Sequence, residues 1–255
     1  MTETSSSTES RRTFYLLLGN TIVANITNMT VWFAVVFFVY LETRSVIATS
    51  ITSGIFFVAV SLSGVWFGSL VDGHPKKRVM LLSGVASLAL YAAAFGVYLL
   101  APAGAFQHLA SPTLWAFVLL LIAGVLAGNI RGIALLTIIT LLFDDAERDR
   151  ANGLAGSATG VAILIVSAIS GFLVGTAGMV WVFILGIVLT VATLLHLLTL
   201  PIPEGATEGE AGDPSRVDVR GTFVAVAAVP GLLALILFTT INNLLGGVFA
   251  GLLDA

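Results

Sequence analysis

Long apolar runs alternate with short polar breaks along the chain. A helix that crosses a ~30 Å hydrocarbon core needs roughly 20 apolar residues. Seven runs reach that length, at about 14–41, 46–71, 79–100, 113–143, 152–176, 179–200 and 221–252. The breaks carry turn chemistry, as in Leu41-Glu42-Thr43-Arg44-Ser45, Ala101-Pro102-Ala103-Gly104 and Gly175-Thr176-Ala177-Gly178. The pattern predicts an all-α membrane protein. Residues 1–13 open on Ser, Thr and Glu without an apolar anchor and read as a disordered cytoplasmic tail.

Composition agrees. Of 255 residues, 58% are hydrophobic and 10% charged, against about 25% charged in a soluble domain. Such a chain cannot cover itself with polar surface, so its partner is the lipid bilayer. A net charge of −3 gives no argument for a nucleic-acid partner, and none is expected. Without cysteine there is no disulfide framework, thiolate nucleophile or zinc cluster, and no metal or cofactor is expected.

The cations set the orientation. Arg11, Arg12, Lys76, Lys77, Arg78, Arg148, Arg150, Arg216 and Arg220 share one side if the loops alternate, Arg44 lies on the other, and Arg131 falls within a span. By the positive-inside rule the N-terminus is cytoplasmic, in the plasma (inner) membrane. Residues 201–220, rich in Pro, Gly and Glu, read as a flexible cytoplasmic linker. The predicted domains are then a tail (1–13), a six-helix unit (14–200), the linker (201–220) and a seventh helix (221–255).

The break Gly68-Ser-Leu-Val-Asp72-Gly-His-Pro-Lys76-Lys77-Arg78 sets a carboxylate at the end of one run and three cations at the start of the next. It resembles the loop between the second and third helices of major facilitator superfamily transporters. The family pattern there is Gly-x-Leu-x-Asp-Arg-x-Gly-Arg-Lys, and this chain departs from it at Gly73 and Pro75. Glu147–Leu154 resembles the loop after helix four in drug-exporter-like members, and Val217–Gly221 the start of their second half. The resemblance implies a six-helix half of two inverted three-helix repeats followed by the first helix of a second half. It also implies a chain truncated after its seventh helix. Its function would be secondary active transport of a small solute, outward, by alternating access. The alternative is an incomplete, inactive fragment or a half-size membrane protein. The coupling ion of such exporters is a proton, yet no Asp or Glu lies within the first six spans to carry it. The exporters' Gly-Pro pair on helix five is also missing, with Ser167 in the proline's place.

Two groups of residues stand out. The resemblance makes Gly68, Asp72, Lys76, Lys77 and Arg78 a cytoplasmic gate loop that latches the halves together. The second group lies within the spans. Arg131 is the one cation inside a run, 13 residues before Asp144, hence roughly 20 Å from that end. A lone buried Arg costs about 2.5–3.5 kcal/mol on insertion scales, so it needs a cavity or a partner. Thr21, Asn25, Asn28 and Trp32 recur at helical spacing on the first span. With Asn129 and Arg131 on the fourth span they form the predicted substrate cavity, in which Arg131 attracts an anionic or polar group. The stripes Gly64-xxx-Gly68, Gly124-xxx-Gly128-xxx-Gly132 and Gly156-xxx-Gly160 predict close helix packing.

Other classes fit poorly. A retinal protein needs a lysine in its last helix, and no lysine follows Lys77. An intramembrane enzyme needs a catalytic motif, and no His-Glu-x-x-His or Gly-x-Ser-x-Gly is present. The oligomeric state is not legible.

Overall fold

The computed structural model describes residues 2–202 and 219–253, and all regular structure within them is helical. Six helices form the first unit: α1 (Thr2–Thr43), α2 (Val46–Asp72), α3 (Lys76–Leu100), α4 (Pro112–Leu142), α5 (Asp145–Phe172) and α6 (Met179–Thr199). A second unit, from Gly212 on, contains α7 (Val219–Ala228) and α8 (Leu232–Leu253). Most of the predicted linker, 203–218, lies outside the described residues.

Local chemistry sets the helix ends. Ser45 caps α2 by accepting the Ala48 N–H at 3.2 Å. Ser111 caps α4, with Pro112 at its first position, where the missing N–H costs nothing. α5 ends in a π-helical turn, Leu173–Ala177, and stops at Gly178, whose φ of +82° suits glycine. α1 begins at Thr2, inside the stretch read as a disordered tail. The predicted seventh span is interrupted. Pro230 has no N–H to donate and Gly231 takes φ +82°, so α7 and α8 form in place of one helix. Among the described residues six helices are long and apolar enough to cross a membrane, while the apolar stretch Leu232–Asn242 is shorter.

Helices α1–α3 and α4–α6 behave as two repeats. α3 packs along α4, and α1 along α4, α5 and α6. Exchanging the two triplets maps α1–α6 onto α4–α3, α1–α5 onto α4–α2, and α3–α6 onto itself.

The packing divides along the helix axes. One apolar cluster gathers Val31–Val39 of α1, Tyr91 and Ala94 of α3, Leu114–Val125 of α4 and Met179–Phe183 of α6. Phe106, from the α3–α4 loop, plugs it against Phe38 and Phe117, with ring centroids 5.3 and 5.2 Å away. A second cluster joins Phe14–Leu18, Val79 and Met80, Ile130–Ile139 and Leu197. Buried Asn20, Thr21, Asn28, Ser83, Ser87, Thr190 and Thr193 fall between the two on α1, α3 and α6, and so form a polar layer across the bundle.

Candidate functional site

The polar layer is bonded from helix to helix. Asn28 Nδ2 donates to Val125 O of α4 at 3.1 Å, and Asn28 Oδ1 accepts from Tyr91 Oη of α3 at 2.6 Å. Ser87 Oγ donates to Gly124 O at 2.8 Å. Asn20 Nδ2 donates to Thr193 O of α6 at 2.8 Å and lies 3.0 Å from His196 Nδ1. Glycines permit these approaches. A Cβ at Gly124 would stand 2.6 Å from Tyr91 Cε1, and one at Gly128 would overlap the Asn28 amide.

Arg131 belongs to this layer and is only 2% exposed. Its Nε and Nη2 have no hydrogen-bond partner. With Asn28, Gly84, Ser87, Thr190 and Thr193 it lines a crevice of about 10 Å³, space for roughly one water. The guanidinium thus points between α3, α4 and α6, into the body of the first unit.

The predicted cavity is therefore divided. Asn28 and Arg131 share the crevice. Thr21 is buried at 1% exposure, with its Oγ1 unpartnered. Trp32 lies in the apolar cluster, stacked on Phe56 with centroids 3.7 Å apart. Asn129 cannot join Arg131, because residues two apart on a helix point to nearly opposite sides. Asn25 and Asn129 are half-buried, and neither side chain has a hydrogen bond among the described residues. Tyr91, Gly84, Asn20 and the α6 threonines were not singled out from the sequence. Their signal was present in the mid-run spacings Ser83-Gly84-xx-Ser87 and Thr190-xx-Thr193.

The gate loop is also divided. Lys77 Nζ donates to Leu198 O and Leu200 O of α6 at 2.9 and 2.7 Å, closing that helix end. Lys76 Nζ donates to Asp72 O and His74 O at 3.1 and 3.3 Å. The Asp72 carboxylate and Arg78 are exposed and unpaired among the described residues. A Cβ at Gly64, Gly68, Gly132, Gly156 or Gly160 would meet nothing within 4 Å. The close packing expected at these stripes is thus confined to Gly124 and Gly128, because only they face a neighbouring helix within the unit.

A larger, open cavity of about 690 Å³ lies between the starts of α1 and α5 and the end of α4. Phe14, Tyr15 and Phe143 line it beside Arg11, Glu147 and Arg150. Arg11 pairs with Glu147 at 2.5 Å across it. Nearby, Arg148 donates to Phe143 O and Thr140 O at 3.0 Å and closes the end of α4.

The model of the Major Facilitator Superfamily matches the chain over residues 17–253. No curated protein and no solved structure matches it.

Proposed function

The chain belongs to the major facilitator superfamily, and from that premise we propose that it is a secondary active transporter that exports a small solute by alternating access. Membership makes it a multi-pass membrane transporter and not an enzyme. Outward direction and the cytoplasmic N-terminus rest on the loop resemblances and on the distribution of cations.

The observation that carries the reading is the pair Asn25 and Asn129. Each is an amide midway along a span, only partly buried and without a hydrogen bond among the described residues. An unpaired amide in hydrocarbon costs several kcal/mol, so both belong on a wetted surface. They sit on α1 and α4, which the repeat exchange makes equivalent. Such a pair supports a solute-facing wall, with Arg131 and Asn28 behind it. The free Asp72 carboxylate and Arg78 are the groups left to latch against a second half, whereas Lys77 is committed to α6.

The test is efflux of an amphipathic fluorescent dye from energised cells expressing the full product of the gene. Asn25→Ala and Asn129→Ala should each slow efflux about tenfold at unchanged membrane abundance, a loss of ~1.4 kcal/mol. Wild-type rates in the double variant would remove these residues from the pathway. Uptake in place of efflux would overturn the direction.

A further inference from the structure

The open cavity of about 690 Å³ between α1, α4 and α5 takes no part in the proposed transport path. It shares no residue with the crevice at Arg131. Its size lies within the ~300–1,000 Å³ of ordinary ligand pockets. Arg11, Glu147 and Arg150 line it within the first two turns of their membrane spans, where hydrocarbon gives way to headgroups.

The lining is apolar within and charged at the rim. Phe14 and Phe143 are buried and packed edge to face, with centroids 5.2 Å apart. Tyr15 and Leu154 are 57% and 40% exposed, so apolar surface runs from the cavity to the outside of the bundle. At the rim two guanidiniums stand against one carboxylate. That carboxylate, Glu147, is held by Arg11, and Asp145 in the same turn of α5 is held by Arg148 at 2.5 Å. Arg150 follows Glu147 by three residues, on the same face of α5. It has no hydrogen bond or ion pair among the described residues. Arg11 spends one nitrogen on Glu147, and its others donate to nothing among the described residues. Asp144 makes no side-chain cap at the start of α5, where Ala146 lines the cavity, so the positive end of that helix is open as well. Asp144 and Asp149 are exposed and do not line the cavity.

We propose that this cavity binds the headgroup of an anionic phospholipid, with the phosphodiester on Arg150 and Arg11 and the upper part of an acyl chain over Phe14 and Phe143. Guanidinium forks match phosphate oxygens, and the uncompensated charge of the rim is positive. A free phosphate would leave the rings uncovered. An ammonium-bearing headgroup would find no unpaired carboxylate in the lining. Such a site requires only that α1 and α5 cross the bilayer. It is independent of the transported solute and of the direction of transport.

The experiment follows the thermal unfolding of the whole purified protein in neutral detergent micelles, by tryptophan fluorescence, as lipid is added. Phosphatidylglycerol should raise Tm saturably, on the order of 5 °C at a hundredfold excess over Kd. Phosphatidylcholine and inorganic phosphate should each do little. Arg150→Gln should raise the half-saturating phosphatidylglycerol about fivefold, the weight of one cation at a charged membrane surface. Ala146→Trp keeps every charge and fills the cavity from an exposed position, and it should abolish the rise. Arg12→Gln removes a neighbouring cation that does not line the cavity and should leave the response unchanged. An equal rise with phosphatidylcholine would overturn the proposal, and an equal rise with inorganic phosphate would overturn a lipid as the source of the anion. A full response in both Arg150→Gln and Ala146→Trp would overturn the site and leave only surface charge. Transport is not read in this assay, so its outcome is separable from that of the efflux test.

Discussion

At the scale of single residues, Asn28 does the most. It serves Val125 O and Tyr91 Oη at once, and Gly128 gives it room. Asn28→Ala should lower stability by ~2–4 kcal/mol, since it strands the Tyr91 hydroxyl and leaves a void. Gly128→Ala should cost about 1–3 kcal/mol by overpacking the amide. The double variant should cost clearly less than the two single losses added, because removing the amide relieves the clash. Reversible unfolding in mixed micelles measures all three, and strict additivity would show that the two side chains do not meet. Tyr91→Phe deletes one interhelical bond and should cost about 0.6–1.7 kcal/mol, the range for such bonds in membrane bundles.

At the scale of elements, apolar runs and turn residues were enough to place α1 through α6, because lipid demands length and the breaks supply caps. Pro230 and Gly231 were equally visible, but overall hydropathy masked the interruption they impose on the seventh run. The candidate site was less legible. Helical spacing put Asn28 on a polar face, and charge singled out Arg131. Spacing within one helix cannot say which neighbour a side chain meets, and so gave no sign that Trp32 stacks on Phe56. Lys77 shows the same limit: the sequence placed it in the gate loop but could not show that its Nζ also caps the end of α6. Lys77→Met should free the Leu198 and Leu200 carbonyls and cost about 0.5–1.5 kcal/mol. Hydrogen exchange should quicken in the last turn of α6 and remain unchanged in α4, whose end Arg148 closes. Uniform exchange across both ends would show that Lys77 adds nothing.

At the scale of the whole molecule, six spans with cations on alternate loops specify a topology that the absence of cysteine makes easy to test. Single substitutions can be labelled in intact cells with a membrane-impermeant maleimide. Gln107→Cys, in the α3–α4 loop, should react from outside. His74→Cys and Asp149→Cys should react only after the cells are opened. External labelling of His74→Cys would invert the orientation and set aside the cytoplasmic gate reading. The seventh apolar segment needs its own probe, since α7 and α8 form a separate unit.

The polar layer also bears on how the protein is made. Helices leave the ribosome in order, so α1 enters the bilayer carrying Asn20 and Asn28 before their partners on α3, α4 and α6 have been synthesised. Asn20 waits longest, for Thr193 lies 173 residues downstream. Until then these amides need water or an insertase as a temporary partner. Arg131 follows into the same vacancy, and only α6 closes it. Synthesis that halts before α6 should therefore leave a product marked for membrane quality control by exposed amides and a bare guanidinium.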